Sequence, residues 1–369
     1  MIAPKNDPSQ AGSSSDSPLR ARPAGSSPVG EPELPVLPTM GVGSLAVPGW
    51  FSFLGRHLRV GAFGEADRDE LIDDMLRLAV QDQIDAGLDI LSDGEFRNQR
   101  LLFELHERLT GLRQLETPRK LGVYGHDQMP RFEVIGSIDA PQGLGIVQAF
   151  ERLRQAAPGR ALKVALPGPL SLASMVHGAR RSDESVLDDL VRLVRREVEH
   201  LLQAGAYRIQ IDEPCLAHPT HGLSLIAAAQ MVNRCMEGTS AHFGVHICFG
   251  NRLGRPVSNR DLLRLMPALE MLIASELVIE FANREMAQVE LLASISDRFH
   301  IAAGVVDVNS FHLESAQDVA ERLRLVLAHL PQSRVIATAD CGFSALPRQL
   351  ALAKMRALGQ GAAIVRTKG

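Results

Sequence analysis

From residue 38 onward, short apolar runs alternate with longer amphipathic stretches. The apolar runs are "TMGVGSL", "DILSDGE", "LKVALPG", "YRIQIDEP", "HFGVHICF", "LVIEFAN", "IAAGVVDV" and "VIATADCG". Each is brief and rich in Val, Ile or Leu, the pattern of strands covered on both faces. The stretches between them carry apolar residues at helical spacing. Asp67 and Glu70 signal a helix start, Leu71, Met75, Leu78 and Ala79 share a face, and Gly87 ends it. Val186, Leu190, Val194, Val198 and Leu201 repeat the pattern up to Gly205, and Ser315 with Asp318 opens a helix whose face is Val319, Leu323 and Val326. The segment "KLGVYGHDQMPRFEVIGSID" has strand character but breaks the alternation. It predicts a β-hairpin insertion after the second strand. Eight strands alternating with helices predict an α/β fold, a (β/α)8 TIM barrel, with an open doubly wound sheet as the alternative. Neither the GxGxxG fingerprint nor a P-loop is present.

Residues 1–37 differ in kind. "PSQAGSSSDSPLRARPAGSSPVGEPELPVLP" has little to bury against the entropy of ordering it, so 1–37 is expected to be a disordered, inert tail and 38–369 a single domain. The 39 basic and 43 acidic residues give a net charge of −4 without blocks of one sign, which argues against a nucleic-acid or anionic-membrane surface. No apolar run reaches the ~18 residues of a membrane span, and the N-terminus has no apolar leader segment. Four cysteines in 369 residues do not make a disulfide framework. The expectation is a cytoplasmic protein with reduced thiols and small-molecule partners.

Barrel enzymes carry their chemistry at the C-terminal ends of the strands. Here those ends hold Ser44, Asp93, Glu95, Asp212, Glu213, His246, Cys248, Glu280, Asp307, Asn309, Asp340 and Cys341. His246 and Cys248 are two apart on a strand and therefore point the same way. With Glu280 ending the next strand and Cys341 the last, imidazole, thiolate and carboxylate suit zinc. Spacing alone leaves open the alternative of buried structural cysteines.

"HICFGN", "LVIEFANRE" and "TADCGF", with "VGSLAVP", "LSDGEFR" and "IQIDEP", form six motifs in order. They resemble the cobalamin-independent methionine synthase family, in its C-terminal catalytic barrel. The resemblance implies one Zn2+ per chain on His246, Cys248, Glu280 and Cys341. It implies a homocysteine site at Val42, Gly43, Ser44, Glu95 and Asp212, where two carboxylates suit an ammonium group and backbone N–H groups suit a carboxylate. The implied reaction is zinc-dependent transfer of a methyl group to the thiol of homocysteine, forming methionine.

Three departures bear on the methyl donor. The chain has no room for the family's N-terminal barrel, Met175 stands where the folate-stacking tryptophan is expected, and the lone tryptophan is Trp50. Asn309 stands at the proton-donor histidine position, so no catalytic proton donor is assigned; His177, His218 and His242 are the other candidates. A donor other than folate polyglutamate is expected, such as a methyl-corrinoid on a partner protein. Alternatives are an epoxyalkane–coenzyme M transferase, for which Arg97 and Arg100 would meet the sulfonate, a zinc-free decarboxylase-type barrel, and an inactive thiol-binding zinc protein.

Overall fold

A computed structural model of the chain describes residues 32–59, 64–96, 105–116, 131–176, 183–219, 222–250 and 256–366. The strands are β1 (Ile90–Leu91), β2 (Thr110–Leu115), β3 (Arg131–Asp139), β4 (Ala161–Pro167), β5 (Arg208–Asp212), β6 (His242–Ile247), β7 (Glu276–Glu280), β8 (His300–Val306) and β9 (Val335–Ala339). Seven of them form one parallel sheet in the order β1-β4-β5-β6-β7-β8-β9. Thr39 bridges Ala337 of β9, and Met40 bridges Ile90 of β1, both in parallel. One extended segment therefore touches both edges of the sheet, which curls as in a TIM-like barrel.

The apolar runs became strands because both faces are covered. Every residue of β7 and β9 is buried. Met40, Val42, Ile90, Ala161, Val278, Ala302 and Ile336 form an inner cluster, while a much larger one lies between sheet and helices. On helix Asp183–Gln203 all five expected face residues are buried, and Ser315 with Asp318 forms the expected capping box on helix Ala316–Leu327. Helix Glu65–Asp85 differs at its start. Gly64 is the N-cap, and Asp67 stands in the first turn, accepting from the Gly64 N–H at 2.9 Å.

Two other boundaries move. Of the expected tail, residues 1–31 lie outside the described residues, but Leu37 is fully buried and its carbonyl accepts two bonds from Arg366, at 2.7 and 3.0 Å. Burial of one large side chain thus starts the ordered domain before residue 38. In the region of the expected hairpin, β3 pairs antiparallel with β2, upstream of the expected first arm. Residues 117–130, on which that arm was placed, lie outside the described residues.

The loop after β8 is held from below. Lys354, at 0% exposure, donates to Glu314 Oε2 at 2.6 Å and to the Asp307 carbonyl at 2.8 Å. Glu314 Oε1 accepts from the Asp307 N–H at 2.9 Å and from Arg322 at 3.1 Å. Among the described residues no helix is long and apolar enough to cross a membrane.

Candidate metal centre

β6 delivers His246 one residue before its end, Cys248 follows it, and Cys341 lies just past β9. One ligand atom from each lies within 4.8 Å of the others. Glu280, the last residue of β7 and fully buried, stands beside this trio, its Oε2 3.6 Å from Cys248 Sγ. His246 Nδ1 donates to Asp212 Oδ1 at 3.0 Å. That bond occupies Nδ1 and leaves Nε2 as the nitrogen that can bind a metal once its proton is displaced. Nε2 is buried and has no hydrogen-bond partner. A buried imidazole nitrogen without a partner, next to two thiols and a carboxylate, fits a divalent metal of borderline softness such as zinc.

The charges agree. Hydrogen bonding from Cys248 holds the Cys341 thiol well below the usual range, against burial and with help from His246. The bond to Cys341, then burial, push Cys248 up. Burial opposes a charged His246, yet the Asp212 bond and neighbouring Cys341 raise it to about 10. Burial, then the Cys341 charge, push Glu280 up. Without a metal the site holds protons that a cation would displace.

Asp212 does more than the expected substrate contact. Its Oδ1 also accepts from Gln210 Nε2 at 2.7 Å, and Gln210 Oε1 accepts from buried Lys163 at 2.7 Å. Lys163 donates as well to the Gly41 carbonyl at 2.6 Å, at the root of the Val42–Gly43–Ser44 turn. One polar chain thus joins that turn to His246. Replacing Asp212 with Asn should lower metal affinity about 10–100-fold, as loss of the partner that orients a ligand histidine does; competition with a chromogenic chelator measures it. Glu213 faces elsewhere, accepting from the Leu170 N–H at 2.9 Å and Ser171 Oγ at 2.6 Å, and burial pushes it up to about 8.

The other expected substrate residues meet at the same rim. Gly43 has φ +63, and a Cβ there would come within 3.0 Å of the Gly342 nitrogen, next to Cys341. Ser44 Oγ is 3.5 Å from Glu95 Oε2. Glu95 is buried, with a left-handed φ of 49, and its N–H donates to Asp93 Oδ1 at 3.0 Å. Burial first, then the Asp212 and Asp93 charges, raise Glu95 well above the usual carboxylate range. The rim thus combines a backbone turn beside Cys341 with a buried, electrostatically linked pair of acids.

Several expectations go elsewhere. His242 lies at the opposite end of β6 from His246 and bonds Glu276 at 3.0 Å, so the length of the strand removes it as a proton donor at this site. Burial lowers the pKa of His218, reinforced by Arg264. Asn309 is half-buried, its N–H donating to Asp307 Oδ1 at 2.7 Å; Met175 is buried; Trp50 is 43% exposed. Arg97, Arg100 and His177 lie outside the described residues. Cys215 and Cys235 are both buried and outside any disulfide. Sequence reasoning gave no role to Lys163, Gln210 or Asp340. For Lys163 and Gln210 a polar residue inside an apolar strand is the signal that would have found them; Asp340 was noted only as a polar strand end.

The family model for the catalytic domain of cobalamin-independent synthase matches residues 37–363. A methionine synthase of Sulfurisphaera tokodaii is 28% identical over 335 residues, covering 90% of this chain and 94% of the relative. One from Thermococcus kodakarensis is 26% identical, covering 90% and 95%. Among solved structures, a B12-independent methionine synthase from a Shewanella species, in complex with selenomethionine, superposes with a TM-score of 0.76 at 25% identity. That match covers 90% of this chain and 98% of the other.

Proposed function

The chain belongs to the family of cobalamin-independent synthase catalytic domains, and from that premise we propose that it methylates the thiol of homocysteine at one zinc ion held by His246, Cys248, Glu280 and Cys341. The observation that carries the reading is the buried, partnerless Nε2 of His246 beside two thiols. Its relatives are methionine synthases, which supports a methyltransferase acting on homocysteine. A zinc ion here would supply thiolate chemistry at neutral pH to a thiol whose own pKa is ~8.5.

The residues do the rest. Asp212 Oδ2 and Glu95 receive the substrate ammonium, while Asp212 Oδ1 stays engaged with His246. The Val42–Gly43–Ser44 turn offers backbone N–H groups to the substrate carboxylate. Holding acceptor and donor in attack geometry is then the main contribution of the protein. A relative that binds selenomethionine, the selenium analogue of the product, supports an amino-acid cradle at this rim. Paired buried acids disfavour a sulfonate, so the coenzyme M reading is not carried forward.

The family's independence of cobalamin lends the expected corrinoid donor and corrinoid partner no support, and a methylated reduced folate is the first donor to test. Asn309 offers no proton at neutral pH, so donor release draws on another acid or on solvent. Purified protein should methylate homocysteine, lose activity on treatment with a strong chelator and regain it with Zn2+. Methyltetrahydrofolate and its polyglutamates are the first donor arms, methylcobalamin the second, and coenzyme M the competing acceptor. Metal-loaded protein that methylates homocysteine from none of these donors would overturn the reading.

A further inference from the structure

We propose that Asp340 is a positioning residue that locks Glu280 against Cys341, and that Gly304 provides the gap through which it reaches. This rests on the metal reading above. Asp340 is 1% exposed and precedes Cys341 directly. Its Oδ1 accepts from the N–H groups of Phe281 and Ala282, both at 2.9 Å, and its Oδ2 accepts from the Asn283 N–H at 2.7 Å. These are the three residues that follow Glu280. One carboxylate just past β9 therefore satisfies three consecutive N–H groups in the turn leaving β7.

The geometry is unusual because β7 and β9 are not neighbours; β8 lies between them. Glu280 is in register with Gly304 of β8, and Gly304 with Thr338 of β9. At that crossing any side chain would block the path. A Cβ on Gly304 would sit 2.4 Å from Asp340 Oδ1 and 2.8 Å from Asp340 Cα. Gly304 has no left-handed backbone to explain it, since it is absent from the positive-φ glycines. Close approach is the reason for this glycine. Two donors from different strands are thus tied by one side chain, independently of the Asp212–His246 bond that orients a third.

A carboxylate accepts on both oxygens, whereas an amide presents a donor on one side. Asp340→Asn keeps the shape, retains two of the three bonds and sets N–H against N–H at Asn283. Cobalt(II), whose spectrum reports thiolate ligation and coordination geometry, is the probe. With wild-type metal-free protein, cobalt should give a thiolate charge-transfer band and a visible spectrum of low symmetry. Asp340→Asn should bind cobalt about 10–100-fold more weakly, the size of effect expected when the support of a ligand is removed, with altered visible bands. Gly304→Ala should shift affinity and spectrum the same way, and carries the comparison if Asp340→Asn does not fold.

Thr338→Val is the control. It removes the buried bond from Thr338 Oγ1 to the Met40 carbonyl, 2.9 Å, on the same strand. Its thermal stability should fall while the cobalt spectrum stays that of wild type. A wild type that binds no cobalt would defeat the metal reading itself. Wild-type binding with unchanged affinity and spectrum in Asp340→Asn and Gly304→Ala, or a Thr338→Val spectrum that shifts equally, would defeat the clamp alone.

Discussion

Serine in place of Cys341 or Cys248 should strip the protein of metal and lower methyl transfer by roughly a thousand-fold or more. The estimate starts from the ~10–100-fold cost of losing a group that merely orients a ligand; loss of the ligand itself costs more. Oxygen is a poor substitute for sulfur at the proposed zinc site, where either variant leaves one thiolate, one imidazole and one carboxylate. Both sulfurs lie in the trio that converges within 4.8 Å, and among the described residues no further thiol joins that group. Metal content after dialysis, with homocysteine methylation measured in parallel, checks the result. Activity within tenfold of wild type, or full metal retention, would remove the thiols from the site. Circular dichroism separates this from unfolding.

The largest expected effect on stability lies away from the metal. Lys354→Met should cost about 3–5 kcal/mol, because it strands a buried carboxylate. Glu314 would keep Arg322 but lose its bond to Lys354 at 2.6 Å, and the Asp307 carbonyl would lose its donor too. Burial opposes ionised Glu314, yet Lys354 and the Asp307 N–H hold its pKa below the ordinary 4.5. A carboxyl with a depressed folded pKa contributes stability above about 4.5, and that contribution disappears as pH falls through the folded value. Wild type should therefore lose stability on acidification through this window, with a smaller change in Lys354→Met. Urea unfolding at pH 7 and pH 4 measures both. The variant Lys354→Met/Glu314→Gln should recover part of the loss. A single-mutant cost under about 1 kcal/mol would show the pair to be dispensable.

The parallel sheet and the positions of the proposed metal donors were legible because strand ends are written locally, while the ligand set itself came from motif resemblance. Continuous apolar runs mark buried strands, and His246, Cys248, Glu280 and Cys341 stand at or just past the ends of such runs. Ser44, Glu95 and Asp212 were singled out through motif resemblance alone; the fold brings Ser44 Oγ to 3.5 Å from Glu95 Oε2. What stayed hidden depends on partners far apart in the chain. Asp340 reads as one more polar strand end until its carboxylate is seen reaching over Gly304 to the 281–283 backbone. Asp212 reads as a substrate acid, and only the fold reveals that His246 and Gln210 share its Oδ1. Lys354 could have been suspected, since Ala351, Lys354, Met355 and Leu358 share one buried helix face. Its partner Glu314 lies in a loop that periodicity does not reach. The helix start at Gly64 was missed because Asp67 caps from inside the first turn.

The central claim is that these four residues hold a zinc ion that takes part in activating a homocysteine thiol. Zinc-edge X-ray absorption on the purified protein, before and after addition of homocysteine, tests it most directly, with coenzyme M in a parallel sample. The account predicts one zinc with two sulfur neighbours, from Cys248 and Cys341, and a third sulfur with homocysteine but not with coenzyme M. Absence of zinc, or a two-sulfur environment that homocysteine leaves unchanged, would contradict it.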